Sequence, residues 1–185
     1  MSGDLQHVVV MGVSGCGKTT VAEGLSEALG WPFAEGDQFH PQANLDKMAA
    51  GTPLDDDDRR PWLQTLADWI AGQQAHGRST VLACSALKRS YRDLLRTGAP
   101  RVRLVHLHGA REVFEERLSV RAGHFFPAAL LDSQLSTLEP LGPDEDGVVV
   151  EVDLDPLSQV RLALEGLDLQ AAADALSVAD EEAGR

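Results

Sequence analysis

A chain of 185 residues, 43% of them hydrophobic, is long enough for one domain that buries roughly 70% of its unfolded surface, and too short for several. Sixteen Lys and Arg against 29 Asp and Glu give a net charge of −13, which repels nucleic acid and anionic membranes, so neither is expected as a partner and an anionic ligand needs a local basic pocket. The longest apolar runs, such as Val8 to Val13, are far short of a membrane span, no basic leader opens the chain, and Cys16 and Cys84 lack disulfide-framework or zinc spacing, so the cytoplasm is the default location.

Short β-rich runs alternate with longer helical patterns, which predicts βαβ units and a mostly parallel sheet. Strands are predicted from Val8 to Gly12, Pro32 to Glu35, Thr80 to Cys84, Val102 to His106 and Val148 to Val152. Four of these are continuous apolar runs of the kind buried on both faces. The first helix opens at a glycine-rich turn and closes at Gly30, a residue suited to a left-handed C-cap. Another is predicted from Arg59 to Gln74, capped by Asp58, with Pro61 in its first turn and Trp62, Leu66, Trp69 and Ile70 as a core stripe. Residues 1–167 are expected to form the domain and 168–185 an acidic, partly disordered C-terminal extension.

The segment Gly12-Val13-Ser14-Gly15-Cys16-Gly17-Lys18-Thr19 matches G-x-x-x-x-G-K-[ST] at every fixed position, between a predicted strand and helix. Glycines let consecutive N–H groups face phosphate oxygens, and the helix N-terminus adds its positive dipole end. Gly12, Ser14, Gly15, Cys16, Gly17, Lys18, Thr19 and Thr20 are therefore expected to bind ATP, with Lys18 on the phosphates and Thr19 on Mg²⁺. Cys16, beside a helix N-terminus and Lys18, is a candidate for a thiol of lowered pKa that oxidises when nucleotide is absent. No D-x-x-G stands directly after the third predicted strand and no N-K-x-D is present, so a GTPase switch is unsupported, and Val148 to Glu151 lies too late in the chain for a Walker B strand. Small kinases with a lid remain.

Asp37 follows the second strand, where α/β sheets bind ligands, and a carboxylate there can accept a proton from an attacking hydroxyl and help hold the metal. His40, Asn44 and Lys47 recur at helical spacing as one polar face. The run Asp55 to Asp58 before Arg59 and Arg60 reads equally as a solvated turn or as a device that aims an arginine at an acidic ligand. After the third strand, Ser85, Lys88, Tyr91 and Arg92 add hydroxyls and cations. That collection suits a hydroxyl-rich anion. Arg117 and Arg121, with Gly123-His124-Phe125, resemble a lid that neutralises charge on the transferred phosphoryl group. A kinase for another small acceptor, such as shikimate or a nucleoside monophosphate, and a nucleotide-binding regulator without catalysis stand as alternatives.

Together these residues resemble the gluconokinases of the thermoresistant, phosphate-loop type, from about His7 to Leu167. The likeness is carried by Met11 to Gly15, Gly36-Asp37 with His40-Pro41, Asn44 and Lys47-Met48, Gly51-x-Pro53-Leu54-x-Asp56-x-Asp58-Arg59-x-Pro61-Trp62, and Cys84 to Lys88. Tyr91-Arg92-Asp93, Arg117, Arg121-x-Gly123-His124-Phe125, Gln134 and Thr137-Leu138-Glu139 extend it. Leu135, where an aromatic residue is expected, and the long tail depart from it. The resemblance implies an α/β fold like that of adenylate and shikimate kinases, three layers around a five-stranded parallel sheet with a helical lid. It also implies transfer of the ATP γ-phosphoryl group to D-gluconate, Mg²⁺ dependence and homodimers. Asp37 would be base or metal partner, Arg59 and Lys88 would meet the sugar acid's carboxylate, and Arg117 and Arg121 would serve the lid.

Overall fold

The computed structural model describes residues 5–120 and 128–174. Five parallel strands, β1 (His7–Met11), β2 (Phe33–Glu35), β3 (Thr80–Ala83), β4 (Val102–His108) and β5 (Gly147–Glu151), pair in the order β2-β3-β1-β4-β5. Each lies within two residues of its predicted span. The central strand β1 is a run of valines with no exposed face, and its register, Val9 beside both Leu82 and Leu104, puts aliphatic groups across three strands. The expectation of burial on both faces fails for β5, which is an edge: Val150 is buried while Val149 is half-exposed.

Helices α1 (Lys18–Leu29) and α7 (Pro156–Gly166) contact each other, as do α3 (Asp56–Ala75) and α4 (Arg89–Arg96). Right-handed crossovers place these pairs on opposite faces of the sheet, which gives three layers. Shorter helices α2 (Gln42–Ala49), α5 (Arg111–Ser119) and α6 (Ala128–Thr137) stand in the loops that follow the strands. Gly30 closes α1 in the left-handed conformation, at φ 65°. Helix α3 starts three residues before its predicted first residue. Asp55, not Asp58, is the N-cap, and the two form a reciprocal capping box that satisfies each other's backbone N–H.

Trp62, Leu66 and Ile70 are buried as expected, and Trp69 is partly buried with its ring edge-on to Phe39. The core does not stop at residue 167: Leu169 and Ala173 are buried and residues 170–174 are helical, so the domain runs at least six residues further than expected. The rest of the acidic extension, 175–185, lies outside the described residues. No helix among the described residues is long and apolar enough to cross a membrane.

Candidate active site

All loops at the carboxyl ends of β1, β2 and β3 converge on one side of the sheet. Between β1 and α1, Gly12, Gly15 and Gly17 take φ values of 144°, 83° and 93°, which L side chains resist. A Cβ on Gly12 would lie 2.7 Å from Cys16 Sγ and 2.9 Å from the Leu107 carbonyl, so glycine is needed there for room as well. No side chain caps α1, which leaves its first N–H groups and its positive end for an anion. Lys18 Nζ donates to the Val13 carbonyl at 3.1 Å, and Thr20 is exposed on the first turn.

Thr19 Oγ1 donates to Glu35 Oε2 at 2.5 Å. Glu35 was missed in the sequence, where the available signal was a second carboxylate two residues before Asp37 at the end of β2. The Thr19 hydroxyl and the Glu35 carboxylate thus stand together as oxygen donors of the kind Mg²⁺ takes, and Asp37 follows two residues further along the chain. Cys16 corrects its expectation. The side chain is fully buried, burial pushes the thiol's pKa up, and Lys18 and Arg117 only partly oppose that, so it is no activated thiolate. Cys84, also buried, is pushed up to about 12.

On the acceptor side, the Asp37 carboxylate is 68% exposed on a short 3-10 turn after β2. His40 Nε2 stands 3.8 Å from it. The His40 ring is stacked on Trp62 at 4.1 Å, and Trp62 Nε1 donates to the Gly36 carbonyl at 2.8 Å, so a core residue also fixes this turn. Asn44 Nδ2 lies 3.2 Å from His40 Nδ1 and donates to the Asp58 carbonyl at 2.9 Å. An amide nitrogen only donates, so Nδ1 accepts and the neutral imidazole carries its proton on Nε2, facing Asp37. Burial lowers the His40 pKa, Arg59 acts the same way, and Asp37 opposes them.

The cations differ in what the protein already asks of them. Lys47 Nζ holds both oxygens of Asp58 at 2.7 and 2.8 Å, so the expected polar face of His40, Asn44 and Lys47 is turned toward the start of α3. Lys88 Nζ holds both oxygens of Asp56 at 2.8 and 2.9 Å, and the Tyr91 hydroxyl donates to the same carboxylate. These groups, with Leu54, Asp55, Asp57 and Thr137, line an open cavity of about 460 Å³. Arg59 is 8% exposed, yet among the described residues only its Nε is bonded, to the Leu54 carbonyl at 3.3 Å. Its guanidinium lies 5.7 Å from the Tyr91 ring centre. The terminal nitrogens make no hydrogen bond to the protein among the described residues and are not themselves buried, so they are open to the cleft and free to grip an anion.

Arg92 is corrected from a substrate ligand to a structural ion. Its Nε and Nη2 hold Glu145 at 2.7 and 2.8 Å, and its remaining donors meet the carbonyls of Ala86, Leu87, Glu139 and Pro140, so none is left for a substrate. Glu145 pays the opposite way: burial raises its pKa, and hydrogen bonds from Arg92, the Gly142 N–H and Arg96 reverse that to about 2. Ser85 is half-buried at the end of β3, and its carbonyl accepts from the Gly12 N–H at 3.3 Å. The next residue, Ala86, has φ 43°, a strained value for alanine at the junction of the donor and acceptor loops. Arg117 does reach the phosphate loop, but its Nη1 and Nη2 donate to the carbonyls of Cys16 and Val152 at 3.3 and 2.6 Å. Arg121 and Gly123 to Phe125 lie outside the described residues.

An AAA domain family profile matches residues 8–141. The gluconokinase of Gluconobacter oxydans (strain 621H) is 52% identical over 151 residues, 82% of this chain and 85% of that protein. The thermoresistant gluconokinase of Escherichia coli (strain K12) is 48% identical over 153 residues, 82% of this chain and 87% of that one. The crystal structure of a gluconokinase from Sinorhizobium meliloti 1021 superposes with a TM-score of 0.81 at 46% identity, covering 94% of this chain and 96% of that chain. On these identities and coverages the chain belongs to the gluconokinase family of phosphate-loop kinases.

Proposed function

We propose that this protein transfers the γ-phosphoryl group of ATP to the terminal hydroxyl of D-gluconate, giving 6-phospho-D-gluconate and ADP. The single observation that carries the acceptor assignment is Arg59, a largely buried side chain in the first turn of α3 whose terminal nitrogens make no protein hydrogen bond among the described residues and which, with Asp37, acts on His40. A sugar acid supplies what that arrangement lacks, a carboxylate at one end for the fork and a hydroxyl at the other for a base. The phosphate loop and Lys18 hold the β- and γ-phosphates, and their N–H groups and ammonium meet charge that grows on the leaving oxygen. Asp37 accepts the proton of the attacking hydroxyl. The Nε2–H of neutral His40 faces that carboxylate at 3.8 Å. Mg²⁺, held by Thr19 with Glu35 and Asp37, would neutralise phosphate charge. Ser85, Lys88 and Tyr91 line the path of the polyol hydroxyls, and Arg121 is assigned to the transferred phosphoryl group. We assign the enzyme to the cytoplasm as a homodimer without nucleic-acid or membrane partners, an assembly that light scattering tests directly.

A coupled ADP-release assay with gluconate, shikimate and a nucleoside monophosphate tests the substrate. Turnover is expected with gluconate alone; selective turnover of another acceptor would overturn the assignment, and none with any acceptor would favour a regulator.

A further inference from the structure

The last turn of α6 is bonded to the phosphate loop, and the residues just after it to the acceptor loop. The Ser14 N–H donates to Gln134 Oε1 at 2.7 Å, and Gln134 Nε2 donates to Ser14 Oγ at 3.0 Å, so one amide grips one loop residue through its backbone and its side chain. Just beyond the helix, the Glu139 N–H donates to the Leu87 carbonyl at 2.8 Å, and Glu139 Oε2 accepts from the Arg89 N–H at 2.6 Å. The Glu139 carbonyl accepts from Arg92 at 3.2 Å, which ties this end to the buried Arg92–Glu145 pair.

Between the two grips the chain is not slack. The Leu138 N–H continues the helical ladder to the Gln134 carbonyl at 2.9 Å, Leu131 is buried, and Leu135 and Leu138 lie against the core. Thr137, midway, lines the cavity that also holds Lys88 and Tyr91. Gln134 to Thr137 is helical, and the bonds of the Leu138 and Glu139 N–H groups hold the two residues that follow, so backbone hydrogen bonds fix the separation of the two grips. Neither Gln134 nor Glu139 needs to touch a substrate for this to matter, because transfer rates fall steeply when reacting atoms are misplaced by an ångström.

We propose that Gln134 and Glu139 are positioning residues that make α6 a strut between the phosphate loop and the acceptor loop, setting the distance over which the phosphoryl group is passed. The role rests on the kinase reading for its consequence in catalysis, and on the hydrogen bonds alone for its mechanical part. The reaction adds no new chemistry: misregistered substrates let water take the phosphoryl group in place of the acceptor hydroxyl, with ADP and inorganic phosphate as products.

Gln134→Met keeps the side chain's length and removes both grips on Ser14; Glu139→Met removes the acceptor bond to Arg89. Hydrogen exchange reads the mechanical part without any acceptor. Gln134→Met should speed exchange in residues 85–89, and Glu139→Met in residues 12–19, each at the loop it does not touch. In the coupled reaction, each variant should lower kcat by about 10- to 100-fold with KM for both substrates changed less than about threefold. The ratio of ADP to phosphorylated acceptor should rise above that of the wild type, and the double variant should be little worse than the weaker single. Gln134→Glu, which still accepts from the Ser14 N–H, should recover part of the rate. Exchange confined to the loop each variant touches would overturn the strut. So would additive losses in kcat with an unchanged ADP-to-product ratio, the pattern of two independent structural contacts. A wild-type enzyme inert toward gluconate would count against the substrate assignment alone, because the exchange experiment still decides the strut.

Discussion

Arg59 offers the sharpest test of the acceptor site, since it contributes little to the fold and, on this reading, much to the substrate. Its one protein hydrogen bond, Nε to the Leu54 carbonyl, is long at 3.3 Å, and no carboxylate pairs with it among the described residues. A hydrogen bond between charged groups is worth about 1.5–3 kcal/mol, so a two-pronged grip on a carboxylate is worth at least about 3 kcal/mol. Arg59→Met keeps much of the buried stem and removes both prongs and the charge. Since 1.36 kcal/mol is tenfold, KM for gluconate should rise about 100-fold or more, with KM for ATP changed less than about threefold. Arg59→Lys restores the charge but offers a single compact donor, and should recover only about half of that loss in free energy. Steady-state kinetics with each substrate varied at saturating levels of the other makes the measurement, and thermal melting should show a change below about 1 kcal/mol in stability. A normal KM for gluconate in Arg59→Met would refute the assignment, and an equal rise for ATP would move Arg59 to the phosphates.

Asp37→Asn should lower kcat by about 10²- to 10⁴-fold with little effect on ATP binding, as for a lost base; a change only in apparent affinity for gluconate would make Asp37 a binding residue. His106 is buried on β4 with its Nε2 unpaired, and burial, with His108 and Arg92 nearby, lowers its pKa to about 4. The unfolded chain then binds the proton first, so stability is full above the unfolded value near 6.5 and falls as the pH drops from there toward 4, by up to about 3 kcal/mol. Urea titrations at several pH values should show a shallower fall in His106→Leu, and an unchanged slope would refute the cause. Lys88→Arg keeps the charge but replaces the ammonium that holds both Asp56 oxygens, and should raise KM for gluconate or lower kcat by about 10-fold; near-native kinetics would show that the lysine is replaceable. Cys16 should label slowly with a thiol reagent whether or not ATP is bound, and rapid labelling of the free enzyme would restore the activated thiol.

What the sequence conveyed, and what it did not, divides by the range of the interaction. The strands, the phosphate loop and the Gly30 cap are local patterns, in which a few consecutive side chains decide the backbone. Asp58 was mistaken for the cap of α3 because any of four consecutive acids can cap, and only the capping box picks Asp55. Arg92 shares its stretch of sequence with Lys88 and Tyr91, and nothing local says that its guanidinium turns inward. The carboxylate that captures it is 53 residues away. Glu35, and the bond that Gln134 makes to the phosphate loop, were passed over for the same reason, since their partners, Thr19 and Ser14, are 16 and 120 residues distant. The edge exposure of β5 likewise belongs to the strand order, which composition does not carry.

Distance also explains how a chain of net charge −13 keeps a site for anions. Two of the acids at the start of α3 are placed against the two acceptor-side lysines, Asp58 on Lys47 and Asp56 on Lys88. A ligand carboxylate that turned to either lysine would first have to displace a protein carboxylate, and exchanging one ion pair for another in a solvated cleft gains little. Arg59, on the same helix and one residue after Asp58, has no such rival among the described residues, and the burial of its stem holds the fork in place. The acids therefore do not weaken the site uniformly. They saturate the flexible cations and leave the rigid fork as the place where binding energy is gained, so selectivity for a carboxylate depends on shape as well as charge.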